Sequence, residues 1–157
     1  RRIKLEDRIG FLDRKLRIVN ENTDNLKDWM DAAVTAYQTS KAYEWQGDNL
    51  LLARESLLYT FIDNYEFKFG ERPDREHVKE IAFIISWNVW QMDGLKGVIP
   101  NSCHDVETRN LYGEVERTPC PGCKTKNIHK HNGIPVLLKV FSSGNTYPYH
   151  LLYNKNE

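Results

Sequence analysis

The stretch KAYEWQGDNLLLAR, from Lys41 to Arg54, decides the fold because it joins a short strand-like run to a leucine-rich helix. The run ends near Glu44 and continues through a Gly-Asp-Asn turn. A carboxylate at the carboxyl end of a parallel strand is where the ribose hydroxyls of a nucleotide cofactor are often bound. The same pattern also fits a strand end that carries no ligand, so the choice depends on the rest of the chain.

Length and composition indicate a soluble protein with a core of its own. The chain has 157 residues, is 40% hydrophobic and carries 22 basic and 22 acidic side chains. No apolar run reaches the roughly 20 residues that a membrane span needs, and the start RRIKLEDRIG lacks the apolar segment of a signal peptide. An odd number of cysteines, three, argues against a disulfide framework. These features predict a cytoplasmic protein with no membrane contact.

Apolar periodicity predicts four helices and two strands in residues 1–100. Three- and four-residue spacing indicates a first helix through Leu5, Ile9, Leu12, Leu16 and Val19, a second capped by Asp24, a long third from Asp48 to Gly70, and a fourth capped by Asp74. We expect the leucines from Leu50 to Leu58 to lie in the core. The strands are 39–45 and the WNVWQMDG run, which closes at Asp93-Gly94.

This order of elements predicts an α/β fold with part of a Rossmann-like parallel sheet in residues 1–100. Glu44 and Asp93 would then lie at the same edge, where such sheets bind ligands. Residues 101–157 read as a loop-rich part with a Cys-x-x-Cys knuckle. Two further strands, within 134–141 and 147–153, are joined there by SSGNT as a hairpin.

Two segments resemble motifs of a known enzyme family. AYEWQGDNLLLARESLL is similar to the second cofactor-binding motif of the N6-adenine DNA methyltransferases of bacterial restriction-modification systems, and NVWQMDGL is similar to their third. The likeness extends over residues 42–95. It implies S-adenosyl-L-methionine (SAM) as cofactor, DNA as substrate, and a restriction or specificity subunit as partner.

The resemblance also implies roles for individual residues. Glu44 would bind the ribose hydroxyls of SAM, and Trp45 would pack against its adenine. Asp93 would accept a hydrogen bond from the adenine amino group, with Leu95 as its apolar neighbour. A carboxylate and an aromatic face suit these contacts chemically. The alternative is that these are solvated strand ends and core aromatics.

The glycine-rich first motif of this family and its catalytic Asn-Pro-Pro-Tyr are not found in the sequence. The expectation is therefore a piece of a longer methyltransferase that is inactive alone and has no catalytic residue of its own. We also expect it to bind SAM weakly or undetectably.

The segment CPGCKTKNIHKH predicts a metal site. Cys120 and Cys123 can reach one tetrahedral ion from the turn made by Pro121-Gly122. Cys103, His129 and His131 complete the set of candidate ligands for zinc. Reduced surface thiols are the alternative. A redox pair is less favoured, since thioredoxin-type motifs open a helix after a strand.

Basic residues surround the knuckle at Lys124, Lys126 and Lys130. Clustered cations of this kind are typical of surfaces that contact phosphate, although a solvated loop explains them as well. The second functional hypothesis is therefore a non-catalytic, zinc-ribbon-like module that binds nucleic acid or a protein.

Overall fold

The computed structural model describes residues 3–152, which form two compact units. The helical unit consists of residues 3–42 and 48–89, and the C-terminal unit consists of residues 43–47 and 90–152. The sequence suggested 1–100 and 101–157 instead. The difference arises because the end of the NVWQMDG run, and a short segment around Glu44, pack with the C-terminal residues.

Four helices build the helical unit. Helix α1 spans Phe11–Asn22, α2 spans Leu26–Gln38, α3 spans Gly47–Phe69 and α4 spans Arg75–Asn88. A single 3-10 turn, Leu5–Asp7, precedes α1. Among the described residues, none of these helices combines the length and apolar character that a membrane crossing requires.

The helix boundaries follow side-chain capping. Asp74 accepts a hydrogen bond from the His77 amide and begins α4, and Gly70 follows α3 with φ of +73°, as predicted. The predicted cap of α2 at Asp24 is wrong, because the Asn25 side chain accepts from the Asp28 amide and begins the helix one residue later. From position 25, the side-chain oxygen of Asn25 can reach the amide of Asp28, the third residue of the helix.

The first helix is shorter than its apolar spacing predicted. It begins after Gly10, so Leu5 lies in the 3-10 turn and Ile9 is 77% exposed. Leu12 and Leu16 are buried as expected.

An aromatic cluster forms the core of this unit. The ring of Trp29, which is fully buried, lies 5.8 Å from Phe61, 5.5 Å from Tyr65 and 5.6 Å from Phe69, measured between ring centroids. The expectation that 50–58 would be core is wrong: no residue of that segment is buried. The buried part of α3 begins only at Phe61, where its aromatic residues meet α2.

A buried asparagine links α4 to the end of α2. The side-chain amide of Asn88 donates to the carbonyls of Tyr37 (2.8 Å) and Gln38 (2.9 Å), and its oxygen accepts from the Lys41 ammonium (3.0 Å). The carbonyls at a helix end lack intrahelical partners, and Asn88 supplies a donor to the Gln38 carbonyl and a further donor to the Tyr37 carbonyl, which also accepts from the Ser40 amide.

The strands are all short and form three two-stranded sheets. Strand β1 (Ala42–Glu44) pairs with β2 (Val89–Gln91), β3 (Val106–Arg109) with β4 (Val115–Thr118), and β5 (Leu137–Lys139) with β6 (Thr146–Pro148). The last two pairs are antiparallel. The hairpin predicted near the C-terminus is thus present, but its two strands are shorter than the predicted segments 134–141 and 147–153. Beyond strand six, a 3-10 turn spans Tyr149–Leu152.

The fold is mixed α/β, as predicted, but its sheets are small. No sheet of more than two strands occurs among residues 3–152, and this differs from a Rossmann-like core. Asp93 does not end β2; it follows two residues later and forms an antiparallel bridge with Val98. The run therefore turns back on itself at 93–98, because the amides of Lys96 and Gly97 both bond to the Asp93 carbonyl.

Candidate metal centre

Three thiols and one imidazole converge on a single point in the C-terminal unit. The ligand atoms of Cys103, Cys120, Cys123 and His131 all lie within 4.8 Å of one another. The Nδ1 atom of His131 is 3.5 Å from the sulfur of Cys103 and 3.7 Å from each of the other two sulfurs. The three distances are nearly equal, so the imidazole nitrogen does not pair with any one thiol.

This geometry is compatible with a tetrahedral metal site. Zinc binds sulfur at about 2.3 Å and histidine nitrogen at about 2.0–2.1 Å, which places S and N ligands of a tetrahedron about 3.6 Å apart. A neutral imidazole nitrogen donates or accepts one hydrogen bond. Hydrogen bonding therefore does not explain three equivalent sulfur contacts, whereas one shared cation does.

Local backbone structure positions the two knuckle cysteines. Cys120 precedes the short helix α5 (Pro121–Thr125), in which Pro121 occupies the first turn. The Cys120 carbonyl accepts from the Lys124 amide, and α5 ends at Lys126 in the left-handed region with φ of +53°. Cys123 lies within this helix, so both thiols come from one rigid turn.

The other two ligands enter on neighbouring segments. Cys103 follows a turn in which the Ser102 amide and hydroxyl both donate to the Ile99 carbonyl. His131 follows the 3-10 turn Ile128–Lys130. The Asn132 side chain bonds the His104 amide and carbonyl, at 3.2 and 2.7 Å, which ties the two segments together.

Two glycines allow these segments to approach closely. A β-carbon on Gly122 would lie 2.5 Å from the backbone nitrogen of His131. One on Gly133 would lie 2.5 Å from the Ser102 hydroxyl and 3.1 Å from the Cys103 sulfur. Real β-carbons do not approach backbone atoms at such distances, so only glycine fits at position 122 without displacing the chain.

Backbone donors favour the ionised form of Cys120. Burial raises the pKa of this thiol, but the Asn132 and Cys123 amides, the His131 ring and the Gly122 amide together lower it to about 6. The Asn132 amide lies 3.3 Å from the sulfur. A thiolate is the form that binds metal.

The neighbouring thiol is shifted in the opposite direction. Burial and then hydrogen bonding to Cys120 and Cys123 raise the pKa of Cys103 to about 11. Near neutral pH, three thiols this close do not all ionise unless a cation neutralises them. Their arrangement is therefore suited to a divalent metal ion.

Lys96 supplies positive charge beside the centre. Its ammonium lies 3.3 Å from the carboxylate of the buried Asp93. Hydrogen bonding to Asp93 is the largest cause that raises the pKa of Lys96, and the thiols of Cys123 and Cys103 add to it. A cation near metal-bound thiolates partly offsets their negative charge.

His129, a predicted ligand, does not belong to the group of four. Its ring packs edge-on against His150 with centroids 5.7 Å apart, and its Nδ1 is buried with no hydrogen-bond partner among the described residues. His129 and His131 differ by two positions, and only the fold shows which of them reaches the thiols.

The position of the Cys-x-x-Cys segment does not argue against a redox pair, contrary to the prediction. Cys120-x-x-Cys123 opens α5 two residues after β4, so a helix does follow a strand here. The third thiol and the imidazole distinguish this site from a two-cysteine redox motif instead.

The residues expected to bind SAM differ in exposure and in side-chain contacts, although the Glu44 carbonyl accepts from the amide of Met92, next to Asp93, at 2.9 Å. Glu44 ends β1 as predicted, its carboxylate accepts from the Gln46 amide at 3.1 Å, and Trp45 beside it is 48% exposed. Asp93 is buried, with its carboxylate bonded to the Leu95 amide and to Lys96, whereas the Leu95 side chain is 89% exposed. Asp93 therefore has a structural role in the 93–98 turn.

The chain was compared with protein-family models, curated proteins and solved structures, and none of them matches it.

Proposed function

We propose that Cys103, Cys120, Cys123 and His131 hold one Zn²⁺ ion, and that the C-terminal unit is a zinc-stabilised binding module. The observation that carries this proposal is the near-equal separation, 3.5 to 3.7 Å, between one imidazole nitrogen and three sulfurs. Four protein ligands complete a tetrahedron and leave no position for water or substrate, which is the mark of a structural rather than a catalytic zinc site.

Metal analysis with a Cys103→Ser variant tests the zinc site. Protein purified without added metal should contain about one equivalent of zinc, and Cys103→Ser should lose most of it. A redox pair made by Cys120 and Cys123 alone would instead form a disulfide in both proteins, with no zinc in either. Finding no zinc and three freely titratable thiols in the folded protein would contradict the proposal.

The surface beside the zinc site is suited to a phosphate backbone, and we infer DNA as its ligand. From Arg117 through the last described residue, the chain has no acidic side chain but has five basic ones. Lys124, Lys126 and Lys130 are exposed, and none forms an ion pair within residues 3–152. Lys124 lies on α5, Lys126 directly follows it, and Lys130 ends the next 3-10 turn; the helix and the turn contact each other.

Binding to an arbitrary DNA duplex, followed by fluorescence anisotropy, tests this surface. Changing Lys124, Lys126 and Lys130 together to Gln should weaken binding at least about tenfold and reduce the slope of log K against log salt by up to about 3, one for each phosphate that the variant no longer neutralises. The matched control changes Lys4, Lys27 and Lys79 to Gln, since these exposed lysines already pair with carboxylates. Equal losses of affinity in both triple variants would show only a general charge effect.

The methyltransferase origin is a second proposal, and SAM binding is its test. It is supported by Glu44 at the end of β1, the exposed Trp45 next to it, and α3 directly after. A longer protein that includes the glycine-rich motif should bind SAM in a calorimeter and should lose that binding on Glu44→Ala. Unchanged SAM affinity in that variant would remove the ribose role, and with it the inferred restriction or specificity subunit as partner.

A further inference from the structure

A hairpin projects between the first and second metal ligands in the sequence. Its strands β3 and β4 pair in register from Val106 with Thr118 to Arg109 with Val115. Nearly every residue of both strands is exposed, and the hairpin tip, defined as Asn110–Gly113, lies at the far end.

The tip has a fixed shape, and Asn110 fixes it. The oxygen of the Asn110 side chain accepts from the Tyr112 and Glu114 amides, each at 3.0 Å, and its nitrogen donates to the Glu114 carboxylate at 2.7 Å. The backbone of Asn110 also bonds to Gly113 and Glu114. Gly113 has φ of +83°, which favours glycine.

This ordered turn presents two large apolar side chains to solvent. Leu111 has a relative exposure of 103% and Tyr112 of 90%. A single exposed leucine on a surface is ordinary, but two adjacent apolar residues on a well-bonded tip form an anchor. Since the turn is already ordered, little conformational entropy is lost when a partner covers them.

The charge of the hairpin selects the kind of partner. Residues 105–118 carry four acidic side chains and two basic ones, a net charge of −2. Arg117 is paired with Glu107 across the strands at 2.7 Å, so Glu114 and Glu116 lie near the tip without an equal number of cations. Phosphate backbones and anionic lipids are repelled by such a surface.

We propose that the hairpin tip is a docking element for a protein partner that offers an apolar pocket with a basic rim. Leu111 and Tyr112 fill the pocket, and Glu114 and Glu116 meet the rim. This proposal goes beyond the zinc site and the lysine surface, because the bonds of the tip involve neither the metal ligands nor the lysines.

The first half of the test is photo-crosslinking in the cells that produce the protein. p-Benzoyl-phenylalanine is introduced in place of Tyr112 and, as the control, in place of Tyr59, a half-exposed tyrosine on α3. A protein crosslinked from position 112 and not from position 59 is identified by mass spectrometry. Crosslinks to nucleic acid, to a second copy of the chain, or to the same proteins from both positions overturn the proposal, as does the lack of any crosslink.

The second half measures affinity for the protein so identified, after purification. Leu111→Ser and Tyr112→Ser should each weaken binding at least about tenfold. Leu51→Ser, at a leucine that is 69% exposed on α3, is the matched control and should have no effect. Asn110→Ala keeps both anchors but loosens the turn, so it should also weaken binding.

Joint change of Glu114 and Glu116 to Gln should slow association, mostly at low salt. Affinities that are the same for the wild type, Leu111→Ser and Tyr112→Ser would overturn the proposal even where a crosslink was found. The zinc content of each variant is measured alongside and should not change, which separates failure of the tip from failure of the metal site.

Discussion

Gly122 and His131 are in direct backbone contact, because a β-carbon at position 122 would lie 2.5 Å from the His131 nitrogen and 2.7 Å from its α-carbon. This contact holds the Cys-x-x-Cys turn next to His131 independently of a metal ion. Position 122 therefore controls the distance between two ligands, Cys120 and His131, without itself being one.

Gly122→Ala should weaken zinc binding at least about tenfold, because a clash with backbone atoms cannot be relieved by a side-chain rotation. Gly94→Ala is the matched control, since no atom lies within 4 Å of a β-carbon there and its φ is not positive. Competition with a chromophoric chelator gives both affinities. Wild-type affinity in Gly122→Ala would mean that the two segments are not held as described.

His131→Ala should lose zinc, whereas His129→Ala should retain it. The Nδ1 atom of His131 lies within 3.7 Å of all three sulfurs, and His129 packs against His150 instead. Zinc content after gel filtration measures the difference. A metal loss in His129→Ala that equals the loss in His131→Ala would make His129 a ligand.

Chelation of zinc should increase hydrogen exchange at the backbone amides of 106–118 and leave the helical unit unchanged. An exposed two-stranded hairpin is only marginally stable by itself, and Cys103 and Cys120 flank this one at its base. Binding energy for structural metal is folding energy for the elements it joins. Mass spectrometry of peptides from both units measures exchange in the hairpin and in the helical unit in one sample. Equal protection of residues 106–118 with and without chelator would contradict the expectation.

Asn88→Ala should lower the free energy of unfolding of the helical unit by about 1–3 kcal/mol, since it removes the side-chain donor to the part-buried Gln38 carbonyl and one of the donors to the Tyr37 carbonyl, which also accepts from the Ser40 amide. Asn22→Ala is the control, because the Asn22 side chain is exposed and, within residues 3–152, bonds only to the Ile18 carbonyl of its own helix. Urea unfolding gives both values. A loss below about 0.5 kcal/mol in Asn88→Ala, the range of ordinary surface changes, would contradict this role.

The cysteines of the proposed metal site were largely predictable because their chemistry is rare. Few roles other than metal binding bring three thiols such as those of Cys103, Cys120 and Cys123 together in space. The Cys-x-x-Cys spacing also indicates a tight turn. The sequence did not distinguish His129 from His131. That choice depends on the contact between Gly122 and His131. Because this contact joins two separate segments, it produces no periodic pattern in the sequence.

Helices were predicted better than strands for a similar physical reason. The spacing of Leu12 and Leu16 reflects a buried face, and so it located α1. The first hairpin, Val106–Thr118, was missed because its strands bury almost nothing and therefore lack apolar alternation. At 50–58 the opposite mismatch occurs, since the segment is rich in leucine although Leu51 and Leu52 are largely exposed.

The two spacers of the metal site differ in their tolerance to changes in length. Between Cys103 and Cys120 the chain runs out along β3 and returns along β4, so residues added at 110–113 lengthen the hairpin and move neither cysteine. Between Cys120 and His131 the chain has no loop that could absorb an insertion, because Gly122 is in contact with the backbone of His131. The metal site alone therefore tolerates a change of length at the tip but not between the knuckle and the histidine, and the tip is the place where a foreign peptide can be inserted without loss of the metal.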